Sequence, residues 1–170
     1  PANPPSVSVV IPTRNLRGLL EACISSVLTL TTYPNFRIIV INNGSDDFDT
    51  LGYLSKLSAN DRVEVLSDGR AFNYSALNNV AVAQADSDLV CLLNNDIEVI
   101  DPDWLDEMVG TLSRPDVGIV GAKLLYSNRT VQHAGVITGI GGVAGHGHKH
   151  FEENAHGYFN RLLLRHELSA

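Results

Sequence analysis

One pattern constrains this chain more than any other: a short apolar run that ends in a polar tip, met four times in the first hundred residues. Val7–Ile11 closes on Pro12-Thr13-Arg14-Asn15. Phe36–Ile41 runs into Asn42-Asn43-Gly44-Ser45-Asp46. Val63–Leu66 is followed by the polar stretch 67–73, and Leu89–Leu93 by Asn94-Asn95-Asp96. Runs of this length, rich in Val and Ile and without polar alternation, predict strands buried on both faces. Between them the apolar spacing becomes helical: Leu19, Leu20, Cys23, Ile24, Val27 and Leu28 form one stripe over 17–30. A weaker stripe passes through Leu51, Leu54 and Leu57, and another spans Tyr74–Ala85. A fourth helix starts at Asp101-Pro102, with Asp101 as its cap, and buries Trp104, Leu105, Met108, Val109 and Leu112. Val117–Val120 reads as a fifth strand.

Strands alternating with helices give an α/β sandwich around a mostly parallel sheet. In such sheets ligands sit beyond the carboxyl ends of the strands. The four polar tips, Pro12–Asn15, Asn42–Asp46, 67–73 and 94–98, therefore converge on one rim. After about residue 126 the periodicity dissolves into a glycine-dense stretch, and 161–168 reads equally as strand or helix.

The balance of 12 basic and 19 acidic side chains, net charge −7, excludes a dedicated nucleic-acid binder. It leaves room for a nucleotide, whose phosphates backbone amides and a metal can hold on an acidic protein. Cys23 and Cys91 are too few for a disulfide framework and read as buried thiols of a reducing compartment. No apolar run reaches the roughly eighteen residues that suggest a membrane span. Without an initiator Met or a signal peptide, the chain is expected to be processed or part of a longer protein.

Each polar tip allows a chemical and a plain reading. Asp96, beside the amides of Asn94 and Asn95, suits a hard cation such as Mg²⁺ or Mn²⁺; the plain reading is a turn satisfying its own backbone. Thr13 lets the chain approach a ligand and Arg14 can pair with phosphate, or the segment is a helix start with a solvated Arg. Asn43 can bond a base or ribose, or form an Asx turn before Gly44. In the segment from Asp68 to Asn78, Phe72 and Tyr74 pack on a base or close the core, and Asn73 caps the helix.

His146, His148 and His150 share one face if the chain there is extended, which would offer Zn²⁺ a site; a mobile polar loop is the other reading. Gly139-Ile140-Gly141-Gly142-Val143-Ala144 matches the dinucleotide pattern G-x-G-x-x-A. That pattern needs a strand before it, a helix after it and an acid about twenty residues on. Gly145-His146-Gly147-His148 is a poor helix and Glu167 sits late, so the match reads as accidental.

Taken together, VSVVIPTRN, LLEACISSVL, YPNFRIIVINNGSDD, FNYSALNNVAV and LVCLLNNDIEVI resemble, in order and spacing, the family 2 glycosyltransferases with the GT-A fold. Trp104-Leu105 and 117–123 fit as well. The stretch from Val131-Gln132-His133-Ala134-Gly135 through His148-Lys149 is similar to a bacterial subgroup that makes O-antigen and other surface polysaccharides, including rhamnosyltransferase-like enzymes. The resemblance implies a Rossmann-like α/β/α sandwich: one GT-A domain over 1–170, with a nucleotide-sugar-binding half, 1–125, and the loop-rich start of an acceptor half, 126–170. It implies that Pro12, Thr13, Arg14, Asn15, Asn43, Asp68, Asn73, Asn78, Asn94 and Asn95 bind the donor. Asp96 would hold Mg²⁺ or Mn²⁺ as the retained carboxylate of the D-x-D-type motif. Asn43 stands where an Asp is usual, and Asn94 replaces the motif's first Asp.

The implied chemistry is an inverting displacement. An acceptor hydroxyl of a glycan or lipid-linked glycan attacks the donor while a carboxylate takes its proton. That base is expected beyond Ala170, where the C-terminal part of the fold would lie, so these residues alone are expected to be inactive. A cytoplasmic setting follows, either free or peripheral at the inner face of the membrane for the longer protein. An exposed sheet edge would favour self-association. The competing classes are an NAD-binding oxidoreductase module built on the Gly139 run and a non-catalytic interaction domain.

Overall fold

The computed structural model describes residues 3–139 and 142–166. They belong to two compact units, Pro1–Glu107 and Met108–Ala170.

The first unit is built on four parallel strands: β1 (Val7–Thr13), β2 (Phe36–Asn42), β3 (Val63–Ser67) and β4 (Leu89–Leu92). Their order in the sheet is β3-β2-β1-β4. β1 and β2 are the central pair, in register from Val7↔Phe36 to Thr13↔Asn42. Val9, Val10, Ile11 and the run 38–41 are fully buried, so both sheet faces are covered there. Each such side chain contributes about 1.5–3 kcal/mol on burial, which is why this pair anchors the fold.

The strand order dictates where the helices go. Crossovers between parallel strands are right-handed. Steps β1→β2→β3 move in one direction across the sheet and the step to β4 returns past β1, so the third helix must cross on the opposite face from the first two. The first helix, α1 (Arg17–Leu30), buries Leu20, Cys23, Ile24 and Val27. The second, α2 (Phe48–Leu57), begins where the Asp47 side chain accepts from the Thr50 amide at 2.7 Å. The third, α3 (Tyr74–Gln84), sets Leu77 and Ala81 on Val10, Ile39 and Ile41. It is capped as the sequence implied: Asn73 accepts from the Ala76 amide at 3.0 Å. Further along, the Trp104 indole N–H donates to Thr31 Oγ1 at 3.0 Å, and Thr32 donates to the Pro102 carbonyl through both its amide and its hydroxyl.

The fourth helix, α4 (Trp104–Leu112), starts later than Asp101-Pro102. Residues 101–103 form a bend and turn, and it is the Asp101 backbone carbonyl that accepts the Trp104 amide. The expected strand at Val117–Val120 does not form: Val117 closes a turn onto the Arg114 carbonyl, and Ile119 is 84% exposed. A strand exists through its ladder partners, and 117–120 pairs with no strand among the described residues.

The second unit carries two small antiparallel ladders: β5 (Leu124–Leu125) with β6 (Val131–His133), and β7 (Val136–Thr138) with β8 (Ala144–His146). Val109, Val131 and Leu162 are its buried large apolar residues among the described ones. Glu153 ties its loops by accepting two bonds from Arg129 and one, at its carbonyl, from Lys123. The segment 161–163 is a turn, neither strand nor helix; the end of the 161–168 stretch lies outside the described residues.

Candidate functional site

The order β3-β2-β1-β4 reverses between β1 and β4. Loops leaving two such strands diverge and open a crevice, the usual ligand site of an open parallel sheet. Here it is a cleft of ≈ 250 Å³ whose polar lining includes Thr13, Arg14, Asn43, Asn94 and Asn95. The apolar lining is Pro12, Leu16, Phe72, Tyr74 and Leu77. All lie in the first unit.

Direct bonds join the four tips. Asn95 Nδ2 donates to Thr13 Oγ1 at 3.1 Å, bridging β4 to β1 across the reversal. With its oxygen accepting, the Thr13 hydroxyl keeps a proton to donate. Asn15 latches β1 to β2: its Nδ2 donates to Asp46 at 2.8 Å and its Oδ1 accepts the Asp46 amide at 3.0 Å. Asn43 joins β2 to β3, donating to the carbonyls of Asp68 and Arg70 at 2.9 and 2.8 Å. Its Oδ1 is buried without a partner. A buried acceptor without a donor is costly, and Asn43 carries this one within the wall of the cleft.

The chain turns sharply after Arg14. Asn15 and Leu16 both have left-handed backbone, φ 54° and 58°, which is uncommon for two successive non-glycine residues. The Asn15 bonds to Ser45 and Asp46 hold this bend. Its result is that Arg14 and Leu16 both line the cleft. Arg14 is exposed and makes no ion pair or side-chain hydrogen bond among the described residues. By contrast Arg70 forks onto Asp68, with Nε bonds of 2.9 and 3.0 Å and an Nη2–carboxylate contact. That fork holds the Asp68 carboxyl at about 2, first through the side-chain bonds and then through the Arg70 amide. Asp68 thus anchors its own loop.

Asn94 is exposed at the mouth, with the Tyr74 hydroxyl 3.5 Å from its Oδ1. Asp96 lies in the next turn, exposed and outside the cleft lining. Asn73 is spent as a helix cap, and Asn78, buried in α3, donates to the Tyr74 carbonyl at 2.9 Å. Of the residues marked in the sequence, the structure brings Pro12, Thr13, Arg14, Asn43, Asn94 and Asn95 to one cleft, and sets Asn15, Asp68, Asn73 and Asn78 to shaping it. Leu16 and Leu77 line the cleft without a sequence signal: Leu16 falls just before the helical stripe, and apolar spacing marks Leu77 only as a helix residue. Arg70, beside the marked Asp68, was also missed.

Among the described residues no three His, Cys, Asp or Glu side chains cluster as metal ligands. Asp96 and Asn94 offer one carboxylate and one amide oxygen. That fits Mg²⁺ or Mn²⁺ held jointly by one or two protein oxygens, phosphates and water, not a cation caged by protein alone.

The histidine face, conditional on extended backbone, does not form, and the Gly139 run has the surroundings of an accidental match. His146, His148 and His150 do not share an extended face, because 147–150 is a turn and His148 and His150 have positive φ. His148 accepts the Tyr158 amide at 3.0 Å, and His146 meets His133 instead, Nδ1 to Nδ1 at 2.9 Å. The Gly139 run sits in a β-hairpin: β7 and β8 are antiparallel, and the Gly139 amide donates to the Val143 carbonyl. Ile140 and Gly141 lie outside the described residues. Among the described residues, the strand–turn–helix that a dinucleotide loop needs is therefore missing around it.

The family model "Glycosyl transferase family 2" matches residues 8–164. The protein called uncharacterized protein y4gI, from Sinorhizobium fredii, is 53% identical over 167 residues, 98% of this chain and 18% of that protein. The O-antigen biosynthesis protein RfbC of Myxococcus xanthus is 44% identical over 142 residues, 84% of this chain and 11% of that protein. This chain therefore spans less than a fifth of the length of either. Among solved structures, the mannosyltransferase PcManGT from Pyrobaculum calidifontis, in complex with GDP-Man and Mn²⁺, aligns with a TM-score of 0.61 and 21% identity. That alignment covers 68% of this chain and 34% of the mannosyltransferase, and it shows a shared GT-A fold. The reversal-point cleft, the sheet order and the family match over 8–164 agree: the chain belongs to glycosyl transferase family 2.

Proposed function

We propose that the β1–β4 cleft binds a nucleotide-diphospho-sugar and that the longer protein transfers the sugar, with inversion, to a glycan or lipid-linked acceptor in polysaccharide biosynthesis. The observation that carries this is the Asn95–Thr13 bridge across the strand-order reversal, with the uncommitted Arg14 beside it. On a protein of net charge −7, an unpaired guanidinium in a cleft favours an anion. Arg14 and the Thr13 hydroxyl face the diphosphate. Asn43 forms the wall beside the base or ribose. Phe72, Tyr74 and Leu16 give the base an apolar wall. Asp96, with Asn94, would hold Mg²⁺ or Mn²⁺, which when bound would neutralise charge on the leaving group. No general base is assigned. The likeness to RfbC, an O-antigen biosynthesis protein, supports a surface-polysaccharide acceptor. No helix among the described residues is long and apolar enough to cross a membrane, and we place the reaction in the cytoplasm, free or peripheral at the inner membrane face.

Calorimetric titration with UDP, GDP and dTDP, each with and without MnCl₂ or MgCl₂, tests the reading. At least one nucleotide binds, more tightly with metal; Arg14→Ala weakens binding under both conditions, and Asp96→Ala removes the metal effect alone. A folded protein that binds none of the three overturns the proposal. An Asp96→Ala protein that keeps full transferase activity in the whole enzyme would favour a non-catalytic role for this turn. β4 pairs only with β1 among the described strands, and Val90 and Leu92 are 39% and 51% exposed. This free edge supports self-association, and a monomer at all concentrations in light scattering would refute it.

A further inference from the structure

Two side chains of α1 grip the turn after β4 at both of its ends. Cys23 is fully buried, and its thiol donates to the Asn94 carbonyl at 3.6 Å. Ser26 accepts the Val99 amide at 3.0 Å. Its own proton goes to the Cys23 carbonyl at 2.8 Å, which fixes its rotamer and keeps a lone pair on Val99. Residues three apart lie on one helix face, so a single rigid surface holds both ends of the turn. Between these anchors lie Asp96 and Glu98, both exposed. The turn's internal bond, from the Ile97 amide to the Asn94 carbonyl, is long at 3.4 Å. Its shape is therefore borrowed from α1 more than made locally.

We infer that Cys23 and Ser26 are positioning residues that aim Asp96, so that the cation geometry is set from the buried face of α1. The inference rests on the reading of Asp96 given above. Neither side chain lines the cleft, so each acts through the turn it holds. Outer partners that orient metal ligands are typically worth about 10–100-fold in metal affinity.

The test uses the whole chain and the probe pairs UDP, GDP and dTDP with and without MnCl₂, reading the ratio of the two affinities. Ser26→Ala lowers that ratio by about 10-fold or more and leaves the metal-free affinity unchanged. Ser26→Thr, which keeps the hydroxyl, restores it, and Ser25→Ala, on the exposed side of the same helix, changes neither. Should Ser26→Ala fail to fold, Cys23→Ala against Cys23→Ser makes the same comparison, since Ser keeps a donor. An undiminished ratio in a Ser26→Ala or Cys23→Ala protein with native circular dichroism overturns the inference and leaves the role of Asp96 standing. A wild-type protein that binds nucleotide with no metal enhancement overturns both.

Discussion

Asn43 offers the sharpest test of how the rim is held. It is 3% exposed, and its Nδ2 donates to two backbone carbonyls of the β3 tip, Asp68 at 2.9 Å and Arg70 at 2.8 Å. Asn43→Ala removes both bonds at a net cost of about 1 kcal/mol each, so about 2 kcal/mol in all. For a chain of this size that lowers Tm by about 4–8 °C. Asn43→Asp is the more telling change. It loses the same donors and sets a carboxylate against two carbonyl oxygens in a dry site, for a total of about 4 kcal/mol or more at pH 7. Burial and the two carbonyls raise the folded pKa of the new Asp above its unfolded value of about 3.9. The added penalty is then absent below about pH 4, grows as pH rises, and is complete above the folded pKa. Thermal denaturation followed by circular dichroism at pH 7 and pH 4.5 should show Asn43→Asp below Asn43→Ala at the first pH and close to it at the second. An Asn43→Asp protein as stable as wild type at pH 7, or one whose deficit ignores pH, would refute the reasoning.

Three further outcomes follow from the geometry. The Arg70 fork holds the Asp68 carboxyl at about 2, so its stabilisation is full above the unfolded value of about 3.9 and is lost as pH falls through about 2. Urea midpoints from pH 5 to 2 should fall more steeply for wild type than for Asp68→Asn, and parallel curves would contradict the fork. His133 is shifted down by burial and then by His146; it favours the folded state above about pH 6.5 and loses that contribution as pH drops through its folded pKa. Ring NMR should show His133 titrating below the ordinary histidine value of about 6.5, with His146→Ala raising it; no rise would disprove the contact. Asn73→Ala removes the α3 cap and should cost about 1 kcal/mol, while Asn73→Ser costs less, as read by urea denaturation.

Much of the fold was legible in the sequence because the central strands are buried on both faces, and such burial writes unbroken Val and Ile runs into a chain. The same holds for Asn73, whose capping is local chemistry. The cleft's polar residues were legible as tips, since strand ends in a parallel sheet share one edge. What escaped was long-range. Val117–Val120 has the composition of a strand, and composition does not supply a ladder partner. The three alternating histidines look like one face only if the chain is extended, and left-handed backbone at His148 and His150 breaks that period. Asn15 looked like a ligand residue because nothing near it in sequence reveals that Asp46 occupies its amide.

The sequence by itself determined which segments are buried and which tips are polar, because hydrophobic periodicity is a local consequence of solvent exclusion. Only the tertiary structure decided that β1 and β4 are neighbours, that Thr13 meets Asn95, and that Cys23 and Ser26 hold the Asp96 turn. Those contacts join residues some seventy to eighty positions apart. No local preference encodes them; they arise when the chain closes on itself and each buried polar group finds the partner that its burial demands.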